Sequence, residues 1–135
     1  MTKTIVQKIV FKNTTPEVLY ELYTNAKKHS LVTGGAAKII AKEGAKFSAY
    51  DNYATGKNLQ LIKDKLIVQS WRAADWSKDD VDSTLTLLIE PKGKNAVLHV
   101  VHANLPDAQA KSIADGWHAY YWKPWKDYLA QNAAK

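Results

Sequence analysis

A chain of 135 residues with 19 Lys and Arg against 13 Asp and Glu, a formal charge of +6 and no cysteine fits one domain, residues 1–135, around a single core. The missing thiol excludes a disulfide framework, a Cys-ligated zinc site and thiol catalysis, and it suits a reducing, cytoplasmic setting. No run approaches about 18 apolar residues, so no membrane span is expected, and the polar–apolar alternation from Met1 to Lys12 lacks the unbroken apolar core of a secretion signal.

Thr2 to Lys12 reads as a strand, with Ile5, Gln7, Ile9 and Phe11 alternating against Val6, Lys8, Val10 and Lys12. A helix start follows: Thr15 can cap, Pro16 suits the first helical position, and Glu17 favours the positive end of the helix dipole. Val18, Leu19, Leu22 and Tyr23 continue at helical spacing. A second short helix around Asn25 to Leu31 stops at Gly34-Gly35.

The pattern then changes to short strands at Ala37–Ala41, Lys46–Tyr53, Lys57–Ile62, Lys65–Ala74, Ser83–Glu90 and Asn95–Ala103, divided by turn residues at Glu43-Gly44, Gly56, Lys63-Asp64 and Pro91–Lys94. In Ser83–Glu90, Leu85, Leu87 and Ile89 alternate with Thr84, Thr86 and Leu88. In Lys65–Ala74, Ile67 and Val68 point to opposite faces and periodicity chooses neither. Asn104 to Asp107 closes the meander. From Asp107, a candidate cap, to about Ala134 runs the longest helix, with Ile113, Trp117, Tyr120 or Tyr121, Pro124 and Tyr128 along one side and a kink expected near Pro124. The order is strand, two short helices, six strands, long helix: an α+β fold of about seven antiparallel strands. A helix of about 40 Å overhangs a small flat sheet, so a curved sheet wrapped around it is expected, with a cavity between the two.

The cations are lysines spread along the chain, Arg72 excepted, which suits a solvated surface rather than a nucleic-acid site and leaves an acidic protein partner open. Trp117, Tyr120, Tyr121, Trp122 and Trp125 fall within nine residues and cover more than one helical face. Some therefore meet the sheet, while Trp117, Tyr120 or Tyr121 are candidates for lining a pocket that is part apolar and part wet. His99 and His102, three apart on a strand, face opposite ways, so no metal site is expected. If Leu98 and Val100 point inward, His102 joins them as the polar group of the cavity. Asp75, Asp79, Asp80 and Asp82 lack the spacing, glycine turn and bidentate glutamate of a calcium loop. No cofactor-binding motif is present.

Six stretches taken in order carry a family likeness: Gly44-Ala-Lys-Phe-Ser-Ala-Tyr-Asp51, Thr55-Gly-Lys-Asn-Leu59, Lys65-Leu-Ile-Val-Gln-Ser-Trp-Arg72, Ser83-Thr-Leu-Thr-Leu87, His102-Ala-Asn-Leu-Pro106 and Gly116-Trp-His-Ala-Tyr-Tyr-Trp-Lys-Pro-Trp125. Together they resemble the C-terminal domain of the activator of heat-shock-protein-90 ATPase (Aha1), within the START and birch-pollen-allergen (SRPBCC) superfamily. The likeness covers nearly the whole chain. It implies a helix-grip fold with a cavity between sheet and long helix, and inward faces carrying Trp71, Leu85, Leu87, Leu98, Val100, His102 and Trp117. Superfamily relatives bind lipids, hormones and polyketides, and a minority are enzymes. The eukaryotic co-chaperone has a separate N-terminal domain that anchors it to its chaperone. These residues hold no counterpart, so that anchoring does not carry over.

The leading expectation is a non-catalytic protein that holds a small hydrophobic or amphipathic ligand against Trp71, Leu85, Leu87, Leu98, Val100, His102, Trp117, Tyr120 and Tyr121. The alternatives are a co-chaperone-like module that binds a heat shock protein 90 chaperone and stimulates its ATPase, and a polyketide-cyclase-like enzyme using His102 and a tyrosine of the long helix.

Overall fold

The computed structural model describes residues 2–133. Six strands, β1 (Thr2–Phe11), β2 (Lys46–Ala49), β3 (Ala54–Ile62), β4 (Leu66–Ala73), β5 (Ser83–Lys92) and β6 (Asn95–Pro106), form one antiparallel sheet in the order β1-β6-β5-β4-β3-β2. The first strand thus pairs with the last and the rest form a meander. Register shifts between Lys3 and Ile5 and between Asn58 and Gln60 mark bulges, which bend the strands that carry them. The curved sheet grips the C-terminal helix, as expected.

The expected seventh strand, Ala37–Ala41, is not one. Its only ladder link is a single bridge, Lys38 to Ser48. The carbonyl of Ile40 is taken instead by the Asn58 Nδ2 amide at 2.8 Å, and the Lys42 amide turns back to the same carbonyl. A side chain thus satisfies backbone that a neighbouring strand would otherwise have to pair. The strand expected to reach Tyr53 likewise ends at Ala49, because Tyr50, Asp51 and Asn52 all take positive φ.

Between β1 and β2 lie α1 (Pro16–Thr24) and α2 (Ala26–Thr33). Thr15 caps α1 by accepting the Val18 amide, with Pro16 next and Glu17 in the first turn. Asn25 ends α1 and caps α2 through the Lys28 amide at 3.1 Å. Gly34, at φ 83°, closes α2 in the left-handed region that costs glycine nothing.

The C-terminal helix runs as α3 (Ala110–Trp117), a π-helical turn (His118–Trp122) and α4 (Lys123–Ala133). It starts later than expected: Gln109, not Asp107, is at the cap position, with no side-chain cap bond. Ala134 lies outside the described residues. Pro124 has no N–H to donate and its ring crowds the turn before it, and that turn is the widened one, with the Lys123 amide bonded to His118 O.

All these helices stand on the sheet's inner face, which carries Ile9, Phe11, Ile67, Trp71, Leu85, Leu87, Ile89, Leu98 and Val100, all buried. Three polar side chains there satisfy one another: Tyr23 Oη donates to Gln69 Oε1 at 2.7 Å, and Gln69 Nε2 to Asn58 Oδ1 at 2.8 Å. The five tryptophans form an unbroken run of ring contacts, with centroids 5.7 Å apart for Trp76–Trp71, 6.1 Å for Trp71–Trp117, 5.3 Å for Trp117–Trp122 and 5.1 Å for Trp122–Trp125. At the Trp76 end, the Arg72 guanidinium lies over the indole and donates to the carbonyls of Ser77 and Asp80, strapping down the β4–β5 loop. At the other end Trp125 meets Phe11 of β1.

Candidate functional site

Between α3, the π turn, β4 and the β2–β3 turn lies a cavity of about 600 Å³. Two parallel rows of the helix face it, Ser112–Gly116–Tyr120 and Ile113–Trp117–Tyr121, each stepping by four residues. Gly116 leaves room in the middle of the first row, since a Cβ there would touch nothing nearer than the Tyr120 ring at 3.7 Å. Trp71 and Ala54 supply the sheet side, and Tyr50 and Tyr53 form the lip. The walls carry aromatic and small side chains and no charge.

Two uncommon backbone features border this space. One is the π turn that sets the positions of Tyr120 and Tyr121; such turns recur at functional sites. The other is the run Tyr50-Asp51-Asn52, with φ of 50°, 56° and 71°, a conformation that Asp and Asn tolerate but that costs about 1–2 kcal/mol at Tyr50. Specific bonds hold it: Tyr50 Oη donates to Thr33 O at 2.7 Å, the Ala36 amide donates to Asp51 Oδ1 at 3.1 Å, and the Asp51 amide returns to Ala36 O. Gly35 is required here because a Cβ would fall 2.7 Å from Tyr50 Cδ1 and 3.0 Å from its Cα.

Behind the wall sit two buried histidines whose tautomers follow from their partners. Trp117 Nε1 can only donate, and it does so to His102 Nδ1 at 3.1 Å. Ser83 Oγ gives its proton to Trp71 O at 2.6 Å, so it accepts from His102 Nε2 at 2.8 Å. His102 is therefore neutral with its proton on Nε2, and burial drives its pKa down to about 3. His29 donates from Nδ1 to Tyr23 O at 2.8 Å and accepts at Nε2 from the Tyr121 hydroxyl at 2.7 Å. Burial lowers its pKa too, against the Tyr23 bond that raises it. Burial also pushes the Tyr121 hydroxyl upward.

Of the side chains proposed from sequence, Trp71, Trp117, Tyr120 and Tyr121 border the cavity. Leu85, Leu87, Leu98 and Val100 are on the inner face but packed into the core. His102 stands behind the wall, its ring 4.9 Å from that of Trp71 and 5.8 Å from that of Trp117. Sequence reasoning missed Tyr50, Tyr53, Ala54, Ser112, Ile113 and Gly116 as lining residues. The helical members were findable, lying four positions before Gly116, Trp117 and Tyr120.

A protein-family model described as Activator of Hsp90 ATPase homolog 1-like protein matches residues 13–130. The chain is 28% identical over 120 residues to the activator of 90 kDa heat shock protein ATPase homolog 1 of Homo sapiens, covering 89% of this chain and 35% of that protein. To the Dictyostelium discoideum homologue it is 31% identical over 117 residues, covering 86% of this chain and 30% of that one. The chain thus spans about a third of the length of these curated relatives. Among solved structures, an HSP90 activator from Plasmodium falciparum superposes with a TM-score of 0.86 at 24% identity, covering 94% of this chain and 96% of that one. CalU16 from Micromonospora echinospora superposes at 0.76 with 17% identity, covering 96% and 75%. At these identities the structural likeness is one of fold.

Proposed function

Because the chain belongs to the Activator of Hsp90 ATPase homolog 1-like family, we propose that it is a co-chaperone-like module that binds a heat shock protein 90 chaperone and raises its ATP turnover. The observation that carries this reading is the reach of the family match, residues 13–130, across nearly the whole folded unit. The test is the steady-state ATPase of a purified chaperone of that class titrated with this chain. Turnover should rise and saturate. A flat titration, with no binding by calorimetry, rejects the reading.

The cavity supports a second role, retention of a small apolar or amphipathic ligand. Its volume suits such a guest, its walls are uncharged and mostly aromatic, and two uncommon backbone features border it. Native mass spectrometry of freshly purified protein should then show a reproducible added mass. A clean unliganded mass, with no thermal shift against a panel of apolar ligands, removes this role. Catalysis of the cyclase type has little support. The His102 nitrogens are both engaged behind the wall, and the Tyr121 hydroxyl is committed to His29.

A further inference from the structure

The outer face of the sheet is as ordered in composition as the inner one. Strand pairing sets Val6 beside Val101, Val101 beside Thr86 and Thr86 beside Val68, a row across four strands of three valines and one threonine. The next row runs Lys8, His99, Leu88, Leu66, Ile62. Among the described residues the helices pack on the opposite face, where Tyr23 of α1 and Trp122 of the π turn bond to Gln69 and Gln7, and only the start of α1 borders this face, beside Leu88. Val6 is 73% exposed, and Leu88 and Ile62 are 44% exposed. An exposed apolar patch of this continuity marks an interaction surface.

The charges at its outward strand positions are cationic but for one, while Glu17 and Asp64 lie only at the margin beside Leu88. Among the described residues, Glu90 is the sole carboxylate at the outward positions of β1, β6, β5 and β4, and His99 binds it at 2.8 Å. That bond, with Lys8 and Lys92 nearby, holds the Glu90 carboxyl below its usual range. Lys8 stands at the edge of the apolar rows, on the outermost strand β1, and Lys57 lies on the outward side of β3. The net charge of +6 opposes a second copy on this face, because two copies would bring their Lys8 side chains into one apolar contact. A nucleic acid would find no guanidinium available, since Arg72 is engaged by the 77–82 segment.

We infer that this outer face, centred on Val6, Val101, Thr86 and Leu88, docks an acidic protein surface whose carboxylates surround an apolar patch. The inference rests on the co-chaperone reading, under which that surface belongs to the chaperone. Apolar side chains then supply the buried centre, and Lys8 and Lys57 meet carboxylates at the rim.

The experiment titrates a chaperone of the heat shock protein 90 class with wild type, Val6→Ser/Leu88→Ser, Lys8→Glu and Lys111→Glu, each confirmed folded by circular dichroism. Lys111 lies on the helix side of the molecule, so its variant repeats the charge change away from the face. The concentration for half-maximal stimulation should rise at least about tenfold for Val6→Ser/Leu88→Ser, which is about 1.4 kcal/mol. It should also rise for Lys8→Glu, rise with salt for wild type, and stay unchanged for Lys111→Glu. Should the double variant fail to fold, Lys8→Glu against Lys111→Glu still decides. Stimulation by the face variants equal to wild type overturns the docking face and leaves the co-chaperone reading standing. No stimulation by wild type overturns both. A wild-type dimer in sedimentation velocity that Val6→Ser/Leu88→Ser abolishes gives the face to a second copy and also overturns the inference.

Discussion

The two halves of the C-terminal helix carry the same residue types and do different work. From the last residue of the π turn onward, Trp122 and Trp125 are each 1% exposed and wedge against Gln7 and Phe11 of β1. Before and within it, Trp117 and Tyr121 bury most of their rings yet border the cavity, and Tyr120 turns outward at 57% exposure. Aromatic content therefore does not distinguish core from site. What separates them is whether the sheet comes up to meet the ring, as β1 does for Trp125, or falls away, as it does beyond Trp71.

This contrast can be broken most directly at Trp125. Trp125→Ala should cost about 3–5 kcal/mol in urea unfolding, since it empties a site packed on all sides. A loss under about 1 kcal/mol would mean that this half is no more core than the other. The boundary between the halves is sharpened by pH. His102, neutral in the fold with a pKa of about 3, titrates near 6.5 when unfolded, so the unfolded chain takes up the proton first. The share of stability held by this residue should be constant above about pH 6.5 and fall between there and pH 3 by about 1.4 kcal/mol per pH unit, with His29 adding to the slope. Denaturant midpoints at pH 7, 6 and 5 measure it, and His102→Asn should flatten its share. The smallest effect belongs to Tyr120→Ala, which should change unfolding free energy by no more than about 0.5 kcal/mol. The same variant should weaken retention of any cavity ligand. A large stability loss there would place Tyr120 with Trp125 instead.

Much of the fold was legible because polar and apolar residues alternate wherever one sheet face meets water. Ser83–Glu90 shows it, with Leu85, Leu87 and Ile89 buried as expected. Lys65–Ala74 hid its orientation for a reason now visible. Leu66 and Val68 face the outer apolar patch while Gln69 is buried against Tyr23, so apolarity marked neither side. Ala37–Ala41 imitated a strand, but beyond the Lys38 bridge its bonds go to side chains outside the segment, the Ala37 amide to Ser30 and the Ile40 carbonyl to Asn58. At the site, the helical lining followed from four-residue spacing, but Tyr50 and Tyr53 did not. Their placement depends on three successive left-handed residues, and although Asp51 and Asn52 tolerate that conformation, nothing local favours it at Tyr50.

The unbroken run of indoles from Trp76 to Trp125 has an optical consequence. Neighbours 5–6 Å apart pass excitation energy between them, so ultraviolet light absorbed at any one tryptophan is shared along the series. The emission should accordingly report on the series and not on the ring that absorbed. A disturbance at the Arg72-strapped loop or at the cavity wall is broadcast as a change in brightness of the whole.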